Sequence, residues 1–116
     1  MSDVFDLYGL LGIDIDTAAT LLTETLQVSF DPHDSDFWGE YYLAHNEDWT
    51  EEISLKENFN KMEDEWNNPE FKDYPLTLEV SSQSMSRARE VEESLSKMPE
   101  AKITLLRRKE YPTKKG

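Results

Sequence analysis

The chain has 116 residues, enough for one domain that buries a core without disulfides or metals. It contains no cysteine, which excludes disulfide frameworks, thiolate catalysis and Cys-based zinc sites. Acids outnumber bases 25 to 12, and the formal net charge of −13 disfavours direct binding to nucleic acid or to anionic membranes and favours a basic protein partner.

The acidic residues are unevenly placed along the chain. No Lys or Arg precedes Lys56, and the segment from Asp31 to Asp73 holds 14 acids against three lysines. The sign reverses in the last fifteen residues, where six bases accompany Glu110 alone. Acidity that only keeps a small protein in solution is the simpler alternative to a basic partner. No apolar run is long enough for a membrane span and residues 1–4 lack signal-peptide features, so the sequence predicts a soluble cytoplasmic protein.

The first half of the chain predicts one helix and three strands. Asp16 can cap a helix whose apolar residues follow at spacings of three and four through Leu26. A short strand over 28–30 should stop at Pro32. Alternation over 37–44 and over 51–58 predicts two further strands, which we expect to pair as an antiparallel hairpin.

The second half predicts a strand–helix–strand unit after an ambiguous segment. Residues 59–66 fit either two turns of helix or an ordered loop. Residues 76–80 alternate as a strand, Ser84 offers a helix cap, and 102–108 form a closing strand. The fold class is therefore predicted as α+β, with a mixed four- to five-stranded sheet, helices mainly on one face and a C-terminal β-α-β unit. We expect a single domain over 1–116, with a disordered basic tail over about 109–116.

Metal binding and catalysis find little support in the sequence. His33, Asp34, Asp36 and His45 have suitable ligand types, but a strand between the histidines would hold them roughly 30 Å apart unless the chain doubles back. Ser35 beside these residues resembles a catalytic triad only in composition. With only four glycines there is no phosphate-binding loop. We therefore expect no metal, no cofactor, no small-molecule substrate and no enzymatic activity.

The segment "FDPHDSDFWGEYYLAH", residues 30–45, interleaves aromatic and acidic residues. Aromatic rings supply desolvated contact area, and carboxylates receive Lys and Arg side chains from a basic partner. Individually these aromatics fit a core equally well. As a set, the pattern predicts a partner-binding surface that consists of Asp31, His33, Asp34, Asp36, Trp38, Glu40, Tyr42, Glu47, Asp48, Trp49, Glu51 and Glu52.

Over residues 7–110 the chain resembles the small immunity proteins of bacterial contact-dependent growth inhibition and related polymorphic toxin systems. Five short motifs, in chain order, carry the resemblance: Gly9-Leu10 before an amphipathic helix, a His33-Asp34-Ser35 loop, Gly39 followed by Tyr41-Tyr42, Asn58-Phe59, and a closing Leu105-Leu106-Arg107-Arg108 strand. The chain departs from the family pattern at Trp38 and Glu40. If these two residues are exposed, we expect them to contact the toxin that this chain recognises.

The resemblance implies a non-enzymatic cytoplasmic inhibitor that neutralises a cognate toxin domain, often a nuclease, in the producing cell. A nuclease needs a basic surface for phosphates, so an acidic inhibitor suits it on physical grounds as well. Three alternatives stay open: an adaptor or regulatory module that binds another basic protein, a small enzyme, and an anti-restriction DNA mimic.

Overall fold

The computed structural model describes residues 2–35, 39–47, 50–60, 64–98 and 102–112. Two helices, eight strands and one short 3-10 helix occupy these residues. In chain order they are β1 (Ser2–Leu11), α1 (Ile15–Leu26), β2 (Asp31–Ser35), β3 (Gly39–His45), β4 (Glu52–Glu57), β5 (Phe59–Asn60), β6 (Glu65–Trp66), the 3-10 helix (Pro69–Phe71), β7 (Leu76–Ser82), α2 (Met85–Ser96) and β8 (Lys102–Pro112). The predicted α+β class is confirmed.

Six strands form one sheet in the order β2-β3-β4-β7-β1-β8, and each neighbouring pair is antiparallel. The predicted hairpin of β3 and β4 is confirmed. The prediction of a mixed four- to five-stranded sheet is wrong, because β1 was not recognised as a strand. β1 pairs with both β7 and β8, so it lies between the two strands that were expected to be neighbours.

The β7-α2-β8 unit is therefore a split β-α-β unit. Both strands run antiparallel to β1 and hence parallel to each other, without contacting one another directly. Taken with β1, α1 and β4, the unit completes a β-α-β-β-α-β arrangement of the ferredoxin-like type. The β2–β3 hairpin extends that arrangement by two strands at the β4 edge.

Both helices cover the same face of the sheet. α1 contacts α2 and β4, while α2 contacts β1, β7 and β8. Alternate strand residues face this helix layer and are almost fully buried, as Leu55, Leu78 and Val80 illustrate. The predicted apolar stripe of α2, which consists of Ala88, Val91, Leu95 and Met98, is buried against them. The opposite face of the sheet, here called the open face, carries no described helix.

The two helix starts are set by side-chain caps. The Thr17 amide donates a hydrogen bond to Asp14 Oδ1 at 3.0 Å, so Asp14 rather than the predicted Asp16 caps α1. Hydrogen bonds from the Thr17 side chain and, second, from the Thr17 amide lower the pKa of Asp14. Ser84 caps α2 as predicted, because its Oγ accepts from the Arg87 amide at 3.1 Å. Neither helix is long and apolar enough to cross a membrane, within the described ranges.

Three local predictions are corrected. The first strand after α1 is Asp31–Ser35 rather than 28–30, and it includes Pro32. This strand lies at the edge of the sheet, where one row of backbone groups has no described strand partner, and such a strand tolerates proline. The described residues of the segment 59–66 form no helix: β5 and β6 pair, and the rings of Phe59 and Trp66 pack edge to face. Residues 109–112 belong to β8, and 113–116 lie outside the described residues.

Candidate interaction surface

The strand order separates the charges of the chain. β2 and β8 are the two edges of the sheet, about 24 Å apart across five strand spacings of about 4.8 Å. We define the acidic edge as the described residues of the segment 31–52, which include β2, β3 and the start of β4. The sequence of this segment contains eight acids and no Lys or Arg. β8, at the other edge, carries four bases and one acid.

Three acids of the predicted surface lie exposed on the acidic edge. Asp31 is in β2, Glu47 follows β3 and Glu52 begins β4. None of the three makes an ion pair with another described residue. Their carboxylates are therefore available to a basic partner.

Tyr42 and Glu51 belong to the helix side instead. The Tyr42 hydroxyl donates a 2.6 Å hydrogen bond to Asp16 Oδ1, which ties β3 to the first turn of α1. Glu51 accepts from Arg87 Nε at 2.6 Å and from Arg87 Nη2 at 3.2 Å. The hydrogen bond from Glu51 raises the pKa of Arg87. Both residues hold the acidic edge onto the helix layer, so the predicted set divides between two faces.

His33 faces the open side of the sheet. Its ring stacks on Tyr41 of β3 at a centroid distance of 5.3 Å, and Lys56 Nζ lies 5.8 Å from the same tyrosine ring. The predicted His-Asp-Ser loop is therefore part of strand β2, and the hairpin doubles back. His45 lies four residues beyond Tyr41, which places the two histidines about 13 Å apart at 3.3 Å per residue rather than roughly 30 Å. No group of three or more metal-ligating side chains occurs among the described residues.

Six further residues of the predicted surface are described by their backbone alone or lie outside the described ranges. Asp36, Trp38, Asp48 and Trp49 lie outside the described residues. Asp34 and Glu40 are described only by their backbone, which pairs them across β2 and β3. The backbone pairing shows that Asp34 and Glu40 lie in the same β2–β3 hairpin as Asp31.

The open face contains a cleft that the sequence did not predict. Its volume is about 400 Å³, and its lining comes from five strands, including Leu7, Tyr41, Ser54, Glu79 and Arg107. Ser54 is 8% exposed, and its hydroxyl makes no hydrogen bond to another described residue.

The cleft could not be predicted from the sequence, because it depends on the order of the strands in the sheet as well as on where each strand lies in the chain. The alternation of Phe5 and Leu7 on one side with Val4, Tyr8 and Leu10 on the other was a usable signal for β1. Only the pairing of β1 with β7 and β8 brings that strand opposite β3 and β4 across the face. Comparison of the chain with protein-family models and with curated protein sequences finds no match.

Proposed function

We propose that the chain binds a basic toxin domain through its acidic edge and neutralises it, as an immunity protein does for the cell that makes the toxin. A nuclease domain is the toxin class that suits the surface best, because such a domain must expose cations for phosphate binding. The observation that carries the proposal is that Asp31, Glu47 and Glu52 lie exposed at one edge of the sheet, in a segment of the sequence that contains eight acids and no base.

The internal ion pairs support this assignment. Glu70, Glu90, Glu92 and Glu93 each pair with a lysine or arginine of the chain itself. Asp31, Glu47 and Glu52 do not pair within the described residues, so a partner's cations would meet them without displacing an existing contact. Attraction between an acidic edge and a basic domain also speeds encounter and orients the acidic edge toward the toxin.

An unpaired edge strand gives the same surface a second means of contact. β2 pairs with β3 on one side only, and its five residues present backbone groups on the other. Pro32 removes one donor from this strand, which limits its pairing with other chains of any sequence. Recognition therefore depends mainly on side chains, and this is consistent with an inhibitor that distinguishes one toxin from others.

Reversing three acids of the edge should abolish protection while the fold survives. The variant Asp31→Lys, Glu47→Lys, Glu52→Lys changes exposed positions only. Each acid that meets a desolvated Lys or Arg would cost about 2 to 5 kcal/mol of binding free energy, whereas a rim acid would cost well below about 1 kcal/mol. The measurement is the affinity for a basic nuclease toxin domain that the wild-type chain binds, together with growth during expression of that domain.

A matched control reverses Glu24, Asp73 and Glu110, which are exposed, lie away from the acidic edge and make no ion pair among the described residues. It changes the net charge by the same amount. We expect the control to retain most of the affinity, and circular dichroism should show both variants folded. Equal losses in the two variants would show that the acidic edge is not a localised interface.

The adaptor alternative predicts a different outcome. An adaptor or regulatory module would bind a basic protein without suppressing its toxicity. Growth rescue by the wild-type chain therefore separates the two functions, because binding without rescue would favour the adaptor.

A further inference from the structure

One row of residues, with one residue from each strand, crosses the middle of the open face, and the residue types along it follow the same order from either edge. Across the six strands the register aligns Asp31, Leu43, Ser54, Glu79, Leu7 and Arg107. From either edge inward, the row shows a charged residue, a leucine and then a polar residue. The two charged ends have opposite signs, so the row is complementary to itself when reversed.

A two-fold axis parallel to the strands, placed above the boundary between β4 and β7, would bring this row onto its reversed copy. β2 of one copy would then lie over β8 of the other, and β3 over β1. Asp31 would meet the second copy's Arg107, and Leu43 would meet Leu7. At the centre, the Ser54 hydroxyl, which has no partner among the described residues, could donate to the second copy's Glu79. Such isologous contacts occur twice in a two-fold dimer.

The flanking rows are compatible with the same axis. In one row Glu52 of β4 would lie opposite Ser81 of β7, and in the other Lys56 would lie opposite Thr77. No charged residue of β4 or β7 would therefore face a like charge. An axis perpendicular to the strands would instead place Glu79 on Glu79 and Arg107 on Arg107. The charge pattern thus selects one of the two orientations.

The two exposed large hydrophobic residues in the described part of the chain lie on this face. Phe5 is 45% exposed and Tyr111 is 51% exposed, and their rings pack edge to face at 5.6 Å. Phe5 of β1 would lie over β3 of the second copy, next to His45. Burial of these rings would supply apolar contact, since Leu7 is already nearly covered by its own neighbours.

We propose that the open face binds the open face of a second copy, forming a weak two-fold dimer. The face extends about 24 Å across the strands and about 20 Å along them, which corresponds to roughly 500 Å² per copy. This area lies below the roughly 800 Å² per partner of a standard interface, and each copy carries a net charge of −13. We therefore expect a dissociation constant of about 10 to 100 μM that tightens as added salt screens the net repulsion.

The test uses complementary charge reversals. Asp31→Arg alone would place the introduced guanidinium against the second copy's Arg107, and Arg107→Asp alone would place two acids together. Each single variant should therefore dimerise at least tenfold more weakly than the wild-type chain. An equimolar mixture of the two should recover the dimer, because every cross-copy pair is then opposite in sign. Sedimentation velocity from about 5 to 500 μM measures all three samples.

Matched controls place the same charge changes on the helix side. Glu24→Arg and Lys97→Asp change exposed residues of α1 and of the end of α2, and they should leave the dimer unchanged. Circular dichroism should show all variants folded. A wild-type chain that stays monomeric at about 500 μM would overturn the proposal. So would single variants that dimerise like the wild type, or a mixture that fails to recover. Loss of toxin binding by a monomeric Phe5→Lys variant would assign the face to the toxin instead.

Discussion

Replacing Arg108 with Met is expected to lower the free energy of unfolding by about 3 to 5 kcal/mol, because it leaves a buried acid without its partner. Arg108 Nε and Nη2 each donate to Asp6 at 2.8 Å, and Nη2 also donates to Glu92 at 3.0 Å. The Asp6 side chain has no exposed surface. Urea unfolding followed by circular dichroism measures the effect.

The Asp6 side of this ion pair is buried, whereas Arg108 and Glu92 are partly exposed. Burial raises the pKa of Tyr8, and the charges of Asp6 and Glu92 raise it further, against the opposing effect of Arg108. The Tyr8 hydroxyl has no hydrogen-bond partner among the described residues. An unpaired Asp6 would therefore find little water or polar compensation nearby.

Two controls separate the loss of the partner from the loss of packing. Arg107→Met removes the neighbouring base, whose contact to Glu70 is 3.6 Å long and exposed, and should cost well below about 1 kcal/mol. The double variant Asp6→Leu, Arg108→Met should be more stable than Arg108→Met alone, because no buried charge remains. A single variant as stable as the wild type, or a double variant less stable than the single one, would contradict this account.

Replacing Asn58 with Leu is expected to lower the free energy of unfolding by about 3 to 5 kcal/mol, because the side chain satisfies several buried backbone groups at once. Asn58 Nδ2 donates to the carbonyl oxygens of Phe71 and Tyr74 at 2.9 and 3.0 Å, and Oδ1 accepts from the Asn68 amide at 2.9 Å. Asn58 is completely buried. Leucine would leave these groups without partners in the interior.

Asn67→Leu is the matched control for this prediction. Its Nδ2 donates a single, exposed hydrogen bond to the Glu57 carbonyl at 3.1 Å, so the cost should stay below about 1 kcal/mol. Similar losses of unfolding free energy in the two variants would show that the buried hydrogen bonds of Asn58 stabilise the fold no more than one exposed hydrogen bond does.

Asn58→Asp supplies a further test with a defined pH dependence. Its carboxylate would face two carbonyl oxygens, which would raise its folded pKa above the unfolded value of about 3.9. The protonated form would be favoured in the folded state, so the variant should gain stability as pH falls from about 7 to 5 relative to wild type.

Much of the fold followed from local sequence patterns. The α2 helix was predictable because Ser84 caps it and its apolar residues recur at spacings of three and four. β7 and the β3–β4 hairpin were predictable from alternation. β1 was not recognised, because Asp6 places an acid at a buried position of the strand. Its partner Arg108 is 102 residues away, so no local pattern shows that the charge is compensated.

The candidate surfaces, like the fold, could be predicted from the sequence only in part. The acidic segment is evident from composition, and Asp31, Glu47 and Glu52 lie exposed on it. The roles of Tyr42 and Glu51 depend on contacts with α1 and α2, which a strand pattern does not contain. The symmetric row of the open face depends on the strand order, because Asp31 and Arg107 belong to opposite edges of the sheet.

The association rate with the basic toxin domain that the proposal requires, measured by stopped flow across ionic strength, tests the central claim most directly. Recognition by the acidic edge predicts a rate that falls steeply, by roughly tenfold or more, as salt rises from about 0.01 M to 0.5 M and the Debye length shrinks. The triple reversal of Asp31, Glu47 and Glu52 should associate slowly with little dependence on salt. A wild-type rate that does not change with salt would contradict electrostatic recognition by this edge.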